Sequence, residues 1–205
     1  MDLSTLKQLE KRDQPIFIAG LGSAKTLRRA GLHKVISLDW WQSYHYAGHR
    51  FTFVPAQHFS SRSLNDYNRA LWGGFVLSSS AGNLYFAGDT AWGSHFQRIK
   101  QRVGRILFAM LPIGAYLPRN IMKHSHVNPE EAVKAFLLLK CRWAIGVHFD
   151  TFANLSDESF NQAPKELAKS LKKHQVNPSR FRALGFGQSC WITKKSMACA
   201  SARQP

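Results

Sequence analysis

The chain has 205 residues and a mass of 23.2 kDa, with 44% hydrophobic, 12% aromatic and 20% charged residues. This length and composition suffice for one domain with a full hydrophobic core, and they exclude a disordered, collagen-like or low-complexity protein. The 28 Lys and Arg residues against 12 Asp and Glu residues give a formal net charge of +16. Such a charge favours anionic partners, namely nucleic acid, an anionic membrane surface or a phosphate-bearing substrate.

Neither a membrane span nor a secretion signal is visible. The longest apolar run, residues 106–117, is interrupted by Pro112 and Gly114, and the N-terminal segment lacks the apolar centre of a signal peptide. The three cysteines, Cys141, Cys190 and Cys199, are odd in number and far apart in sequence. This pattern favours reduced thiols over a disulfide framework or a zinc knuckle. We therefore predict a cytoplasmic protein. Its positive charge also allows a peripheral location at the membrane.

Short apolar runs alternate with amphipathic stretches, which predicts an α/β protein. In chain order, the predicted strands are residues 15–19, 35–38, 51–54, 74–78, 84–87, 106–111, 143–147, 181–184 and 189–193. The turn residues Ala81, Gly82 and Asn83 predict a hairpin between the fourth and fifth strands. The last two strands are predicted to form a second hairpin.

Three helices are predicted from capping signals and periodicity. The first covers residues 23–29, with Ser23 as its N-cap and Gly31 after its end. The second begins at Pro129 after the N-cap Asn128 and continues to residue 139, and the third is a basic helix over residues 164–174.

No internal repeat or low-complexity linker divides the chain. From Ser196 onward the residues are small and polar, which is typical of a frayed end. We therefore predict one domain over residues 1–195 and a flexible tail over residues 196–205.

Three polar residues follow predicted strands directly or within a short loop. His58 lies in PAQHFSSR, Asp89 in YFAGDT and His148 in AIGVHFDTF. Residues at strand ends of an α/β sheet point into a common cleft, and histidine and aspartate are ligands that zinc takes. Each residue by itself is better explained as a hydrogen-bonded structural residue. Together they indicate a metal site divided among several strand ends.

Several longer segments carry a family resemblance, and they occur in the family's order. They are GLGSAKTLRRAGLHKVISLDWW, PAQHFSSRSLNDYNRALWGGF, YFAGDTAW, LPIGAYLPRNIMKHSHVNPEEAV and GVHFDTF. The chain resembles the metallo-β-lactamase superfamily, and within it the N-acylphosphatidylethanolamine phospholipase D branch and related bacterial zinc-dependent hydrolases. The resemblance implies an αββα sandwich, in which two sheets pack face to face between helices.

The resemblance also implies a hydrolase with two zinc ions, which activate water for attack on a phosphodiester and stabilise the charge on its phosphoryl oxygens. His58 would bind the first zinc, Asp89 would bridge both ions, and His148 would bind the second. His126 matches a histidine that lies near the substrate phosphate in the family. A hydrogen-bonded histidine at a helix start explains His126 equally well.

The chain departs from the family at one motif. The His-x-His-x-Asp-His sequence that supplies further zinc ligands is absent, and Met1 begins a segment that follows this motif in the family. We therefore expect a fold that is incomplete at the N-terminus and two protein ligands per zinc instead of the usual three. We also expect an uncovered apolar sheet face, poor stability of the chain alone, and a complementing N-terminal half as a partner.

Two other histidine pairs are weaker candidates. His124 and His126 form a His-x-His pair, but the Asp-His continuation is missing and the pair follows Asp89 in the chain. His45 and His49 lie in a tyrosine-rich stretch that is typical of a surface. We expect neither pair to replace the missing ligands.

Three functions remain open from the sequence. The first is zinc-dependent hydrolysis of a phospholipid or another anionic phosphodiester, with Asp89 as the central catalytic residue. The second is a catalytically inactive fragment of such an enzyme. The third is a basic protein that binds anionic membrane or nucleic acid. No helix-turn-helix, ribonucleoprotein or zinc-finger pattern is present, so we predict no specific nucleic acid partner.

Overall fold

The computed structural model describes residues 2–63, 65–152 and 155–200. The helices are α1 Leu3–Asp13, α2 Ala24–Arg29, α3 His95–Val103, α4 Arg119–Met122, α5 Pro129–Leu138 and α6 Gln162–Lys173. The strands are β1 Phe17–Gly20, β2 Val35–Leu38, β3 Ser43–Tyr46, β4 His49–Val54, β5 Gly74–Ser79, β6 Gly82–Phe86, β7 Ile106–Pro112, β8 Trp143–Val147, β9 Phe181–Ala183, β10 Cys190–Ile192 and β11 Met197–Cys199. This alternation of helices and strands confirms the predicted α/β class.

Seven strands form one mixed sheet in the order β3-β4-β5-β6-β7-β8-β9. The strands from β3 to β6 pair antiparallel, and those from β6 to β9 pair parallel. The predicted hairpin between β5 and β6 is confirmed, with Ser79 opposite Gly82. Because β4 and β6 are each antiparallel to β5, the carboxyl ends of β4, β6, β7 and β8 share one edge.

Helices α3, α5 and α6 cover one face of this sheet. One cross-strand row on that face consists of residues that are at most 1% exposed, namely Val76, Tyr85, Ala109, Ala144 and Phe181. Phe96 and Phe136 from the helices belong to the same core. Asn128 begins α5 with a capping box, as its sequence predicts, because its side chain accepts the Glu131 N–H and the Glu131 side chain accepts the Asn128 N–H.

The opposite face of the sheet is also apolar but is only partly covered. One cross-strand row consists of Phe53, Phe75, Phe86, Met110 and Ile145, and the neighbouring row of Phe51, Leu77, Leu84, Phe108 and Trp143. Phe86 is 42% exposed, and most of the other members are half-buried. An apolar face of this kind agrees with the expectation drawn from the sequence.

A small parallel sheet of β1 and β2 covers one end of this second face. Gly20 at the end of β1 packs so closely that a Cβ atom there would lie 2.9 Å from the Phe53 ring and 2.3 Å from the Leu71 carbonyl oxygen. Phe53 is accordingly 2% exposed. Helices α1 and α2 pack on β1 and β2 around a separate cluster that includes Leu27.

The predicted final hairpin is wrong. Strand β9 pairs parallel with β8, with Phe181 opposite Ala144, and β10 pairs antiparallel with β11. The glycines between β9 and β10 resemble a hairpin turn, but β8 offers β9 a free edge in the main sheet. The predicted tail is also wrong at Met197–Cys199, which form β11, whereas residues 201–205 lie outside the described residues.

The prediction that the cysteines do not form a disulfide is wrong for two of them. The antiparallel pairing of β10 and β11 places Cys190 directly opposite Cys199, and the two are joined by a disulfide bond. Sequence separation alone did not reveal this register. Cys141 is free and buried. The cysteines therefore no longer support the expected reducing compartment.

Several elements have no clear signal in the sequence. Helix α1 contains no buried residue, and its N-cap Asp2 accepts the N–H groups of Ser4 and Thr5. Strand β3 is an edge strand with mostly exposed side chains, and α3 is short and strongly basic. Across the part of the chain that the structure describes, every helix is too short or too polar to span a bilayer.

Candidate metal centre

The predicted ligand residues meet at the shared carboxyl edge of the main sheet. His58 follows β4, Asp89 follows β6, and His148 follows β8 directly. The strands bring them together because β4, β6 and β8 run in the same direction. His126 reaches the same place from the loop before α5.

The four side chains form a contiguous cluster. The His126 ring centroid lies 5.2 Å from that of His58 and 5.3 Å from that of His148. The Nε2 atom of His148 lies 3.5 Å from Oδ1 of Asp89. His148 has a φ of 60°, a left-handed conformation that a non-glycine residue adopts at a cost and that is common at functional sites.

Thr90 connects the loops of this cluster by hydrogen bonds, a role that the sequence analysis did not predict. Its Oγ1 atom accepts the N–H of Gln57 at 3.0 Å, and its carbonyl oxygen accepts the N–H of Val127 at 2.8 Å. The N–H of Ala91 in turn donates to the Gln57 carbonyl oxygen at 2.7 Å. Thr90 is fully buried and therefore holds the residues next to His58, Asp89 and His126 in fixed positions. The only available signal was its place directly after Asp89.

Each histidine of the cluster has a buried ring nitrogen without a hydrogen-bond partner among the described residues: Nε2 of His58, Nδ1 of His126 and Nδ1 of His148. The other nitrogen of His58, Nδ1, lies 2.9 Å from the Phe59 carbonyl oxygen. Because a carbonyl only accepts, Nδ1 carries the proton and Nε2 carries the lone pair. A histidine held in this tautomer is prepared to bind a metal ion through Nε2.

His126 is held neutral by its surroundings. Burial lowers its pKa to about 4, and the neighbouring His148 and His58 act in the same direction. Asp89 and Glu158 oppose this shift. A neutral imidazole has one N–H donor and one lone pair, so at neutral pH His126 suits a hydrogen bond to an anionic oxygen better than an ion pair.

The donor types fit zinc, because imidazole nitrogen and carboxylate oxygen are among its usual ligands and buried unpaired nitrogens are explained by a missing partner. The number of donors is too small for a complete site. Within residues 2–63, 65–152 and 155–200, no three His, Cys, Asp or Glu side chains are placed together so that they could hold one ion. The described residues therefore do not form a complete metal site by themselves.

The other histidine pairs stay outside the cluster. His45 and His49 lie in the exposed hairpin of β3 and β4, where His45 is opposite Arg50. His124 is exposed, whereas His126 two residues later enters the cluster. The His-x-His pair therefore does not act as a unit.

A cavity of about 730 Å³ opens beside His148. Its wall includes the aromatic side chains of Phe149 and Phe160 and the carboxylate of Glu158. Glu158 accepts the backbone N–H groups of Tyr116 and Leu117, and so joins the loop after β8 to the loop after β7. Lys and Arg are absent from the described lining of this cavity.

Residues 1–149 match the family model of the beta-lactamase superfamily domain. The chain is 35% identical over 178 residues to a mitochondrial N-acyl-phosphatidylethanolamine-hydrolyzing phospholipase D of Saccharomyces cerevisiae, covering 83% of this chain and 38% of that protein. It is 31% identical over 201 residues to N-acyl-phosphatidylethanolamine-hydrolyzing phospholipase D 1 of Caenorhabditis elegans, covering 92% of this chain and 56% of that protein. The chain thus spans about half the length of these relatives or less.

A solved structure gives the same fold. A metallo hydrolase from the hyperthermophilic archaeon Ignicoccus hospitalis superimposes with a TM-score of 0.66 at 20% sequence identity, covering 87% of this chain and 69% of that one. At this identity the likeness concerns the fold alone.

Proposed function

Because the chain belongs to the beta-lactamase superfamily domain family, and so has the predicted metallo-β-lactamase-like fold, we propose that it supplies part of a zinc-dependent phosphodiesterase site of the phospholipase D type. The observation that carries this proposal is the meeting of His58, Asp89, His126 and His148 at one sheet edge, with a buried, unpaired nitrogen on each histidine.

Each residue has a separate part in this proposal. His58 would hold one zinc ion through Nε2, His148 would hold the second, and Asp89 would be a ligand to both. Two zinc ions would activate a water molecule and stabilise negative charge on the phosphoryl oxygens. His126 donates a hydrogen bond to a phosphoryl oxygen, which its neutral state favours.

The cavity beside His148 supports a substrate with an apolar part. Phe149 and Phe160 offer it an apolar wall, and the described lining contains no cation that would attract a phosphate away from the metal centre. We therefore propose a phospholipid as the substrate class, with its phosphodiester at Asp89 and its apolar part in the cavity. The names of the two phospholipase relatives agree with this class.

The remaining zinc ligands must come from elsewhere, because the described residues do not provide them. We propose that a complementing polypeptide segment outside these 205 residues brings histidine and aspartate ligands to the same sheet edge. The half-exposed apolar face around Phe86 supports this, since it offers such a segment apolar surface to pack on.

The test is a zinc stoichiometry by elemental analysis after gel filtration. The chain is purified alone and after co-expression with the part of the yeast relative that this chain does not match. We expect little zinc on the chain alone, near two zinc ions per complex, and hydrolysis of N-acylphosphatidylethanolamine by the complex only.

Two variants sharpen this test. Asp89→Asn should lower zinc content and abolish hydrolysis, whereas His124→Ala should change neither, because His124 is exposed outside the cluster. Absence of zinc from the complex, or full activity of Asp89→Asn, would show that the cluster is a non-catalytic remnant.

A further inference from the structure

A second cavity, of about 650 Å³, lies at the edge of the main sheet opposite the metal centre. Gly104 and Arg105 directly precede β7, Cys141 lies just before β8, and Arg180 directly precedes β9. Because β7, β8 and β9 are parallel, their amino ends share this edge. We call this site the basic cavity.

The basic cavity combines positive charge with an apolar wall. Four of its nine lining residues are cations, namely Lys100, Arg105, Lys140 and Arg180, and no lining residue is acidic. Across the described chain, no ion pair joins any of the four to a carboxylate. The apolar part of the lining comes from α5 and the residues after it: Leu137 is 42% exposed, and Phe136, Leu139 and Cys141 lie in the buried core behind it.

The cavity is built on rigid parts of the fold. The Arg180 guanidinium donates to the carbonyl oxygens of Cys141 at 2.8 Å and Arg142 at 3.2 Å, and it lies 5.1 Å from the centre of the Phe136 ring. These bonds use two of its five N–H donors and leave others for a ligand. The Asn83 side chain donates to the carbonyl oxygens of Val103 and Arg105, which fixes the loop that ends α3.

These features select a class of ligand. Several cations without carboxylate partners around one space repel each other. A phosphate group reduces this repulsion because it accepts charge-assisted hydrogen bonds from them. The volume is typical of a small-molecule site, and the apolar wall adds a preference for hydrocarbon next to the phosphate. A dispersed basic surface would not place four cations around one cavity beside apolar side chains.

We propose that the basic cavity binds the phosphate group of an anionic amphiphile, either a free lipid phosphate or a phospholipid headgroup at a membrane surface. This inference is independent of zinc and of hydrolysis, because the site lies at the opposite edge of the sheet. Binding there would hold the protein on an anionic ligand while the metal centre stays free.

The test is calorimetric titration of the full chain with three probes: inorganic phosphate, dihexanoyl phosphatidic acid, and phosphatidylcholine vesicles with and without phosphatidic acid. We expect dihexanoyl phosphatidic acid to bind more tightly than inorganic phosphate. The vesicle arm identifies the source, because tighter binding to vesicles than to the soluble lipid assigns the membrane and the reverse assigns a free ligand.

The double variant Lys100→Gln/Lys140→Gln removes two of the four cations. We expect it to weaken lipid phosphate binding by at least about tenfold, the usual effect of losing a hydrogen bond to a charged group. The control Lys7→Gln/Lys11→Gln removes the same charge from exposed positions of α1 and should change the affinity little. Thermal unfolding of both variants checks that they are folded.

Two results would overturn the proposal. Equal weakening by both double variants would show that the charge of +16 acts as a whole and that the cavity is not a site. Equal affinity for inorganic phosphate and dihexanoyl phosphatidic acid would show that the apolar wall makes no contact with the ligand.

Discussion

The two faces of the seven-stranded sheet are built from alternating residues of the same strands, yet only one face is fully buried. On strand β6, Tyr85 points to the helices and is 0% exposed, while its neighbour Phe86 points to the other face and is 42% exposed. The cross-strand row that contains Tyr85 and the row that contains Phe86 are both apolar, so composition does not distinguish the two faces. The difference lies in what covers them: three helices on one side, and mainly the small sheet of β1 and β2 on the other.

The two faces differ in how much they contribute to stability and to association. Burial of apolar surface stabilises a fold roughly in proportion to the area removed from water, so the helix-covered face contributes most of the stability. The opposite face contributes less and leaves apolar surface that favours association. The cluster of His58, Asp89, His126 and His148 lies at the carboxyl edge of this sheet.

The largest expected effect comes from truncating neighbouring aromatic residues on the two faces. Tyr85→Ala should lower the free energy of unfolding by about 3–5 kcal/mol, because it leaves a cavity in a closed core. Phe86→Ala should cost only about 1 kcal/mol, since its side chain is partly in water already. Urea denaturation of both variants measures the difference, and equal losses would mean that the second face is covered in solution.

A buried histidine on the helix-covered side of the sheet predicts that the free energy of unfolding depends on pH. His95 on α3 is 2% exposed, and burial, with a smaller effect from Arg98, lowers its pKa to about 4. The unfolded chain therefore takes up this proton near pH 6.5 and the folded chain only near pH 4. Stability contributed by neutral His95 is present above pH 6.5 and is lost as the pH falls, by an amount on the order of 3 kcal/mol.

The control for this pH dependence is His95→Gln, which is polar but does not titrate. Its free energy of unfolding should vary less between pH 7 and pH 4 than that of the wild type. The same slope in both proteins would contradict the assignment to His95.

Much of the main sheet could be predicted from the sequence, because its strands are apolar runs between turn residues. The β5–β6 hairpin and the Asn128 cap are examples, since each depends on local chemistry. Strand β9 was predicted, but its partner β8 was not, because that pairing joins segments that are distant in sequence. The disulfide between Cys190 and Cys199 was missed because the short hairpin of β10 and β11 that aligns them was not predicted. Helix α1 was missed because none of its residues is fully buried, and Leu3 and Leu6 pack only partly buried against the cluster that includes Leu27.

In the candidate site, too, features that depend on local sequence were predictable and features that depend on contacts distant in sequence were not. The positions of His58, Asp89 and His148 after apolar strands predicted that they would meet, and they do. The role of Thr90 was not predictable, because it consists of hydrogen bonds to loops that are distant in sequence. The four cations of the basic cavity are likewise scattered along the chain and meet only through the parallel strands.

The partly exposed apolar face of the main sheet predicts self-association of the protein. Polar substitutions on that face should reduce it. Phe86→Gln/Met110→Gln places two amides in the centre of that face and should cost about 1 kcal/mol or less each, because both side chains are partly exposed. Light scattering at increasing protein concentration should show less association than in the wild type. The control Ile121→Gln/Trp191→Gln changes exposed apolar residues elsewhere, and an equal reduction there would mean that the sheet face has no special part.

The smallest expected effect concerns ion pairs within the helix layer. Lys173 and then Lys134 hold the pKa of Glu130 down at about 2, so this carboxylate stabilises the fold above its ordinary value of 4.5 and loses that contribution as the pH falls toward 2. Both pairs are solvent-accessible, so Glu130→Gln should cost less than about 1 kcal/mol at neutral pH and nothing near pH 2. Urea denaturation of wild type and variant across this range measures the difference. A larger loss would mean that the charge pair between α5 and α6, and not only the apolar contact, holds the helices on the covered face.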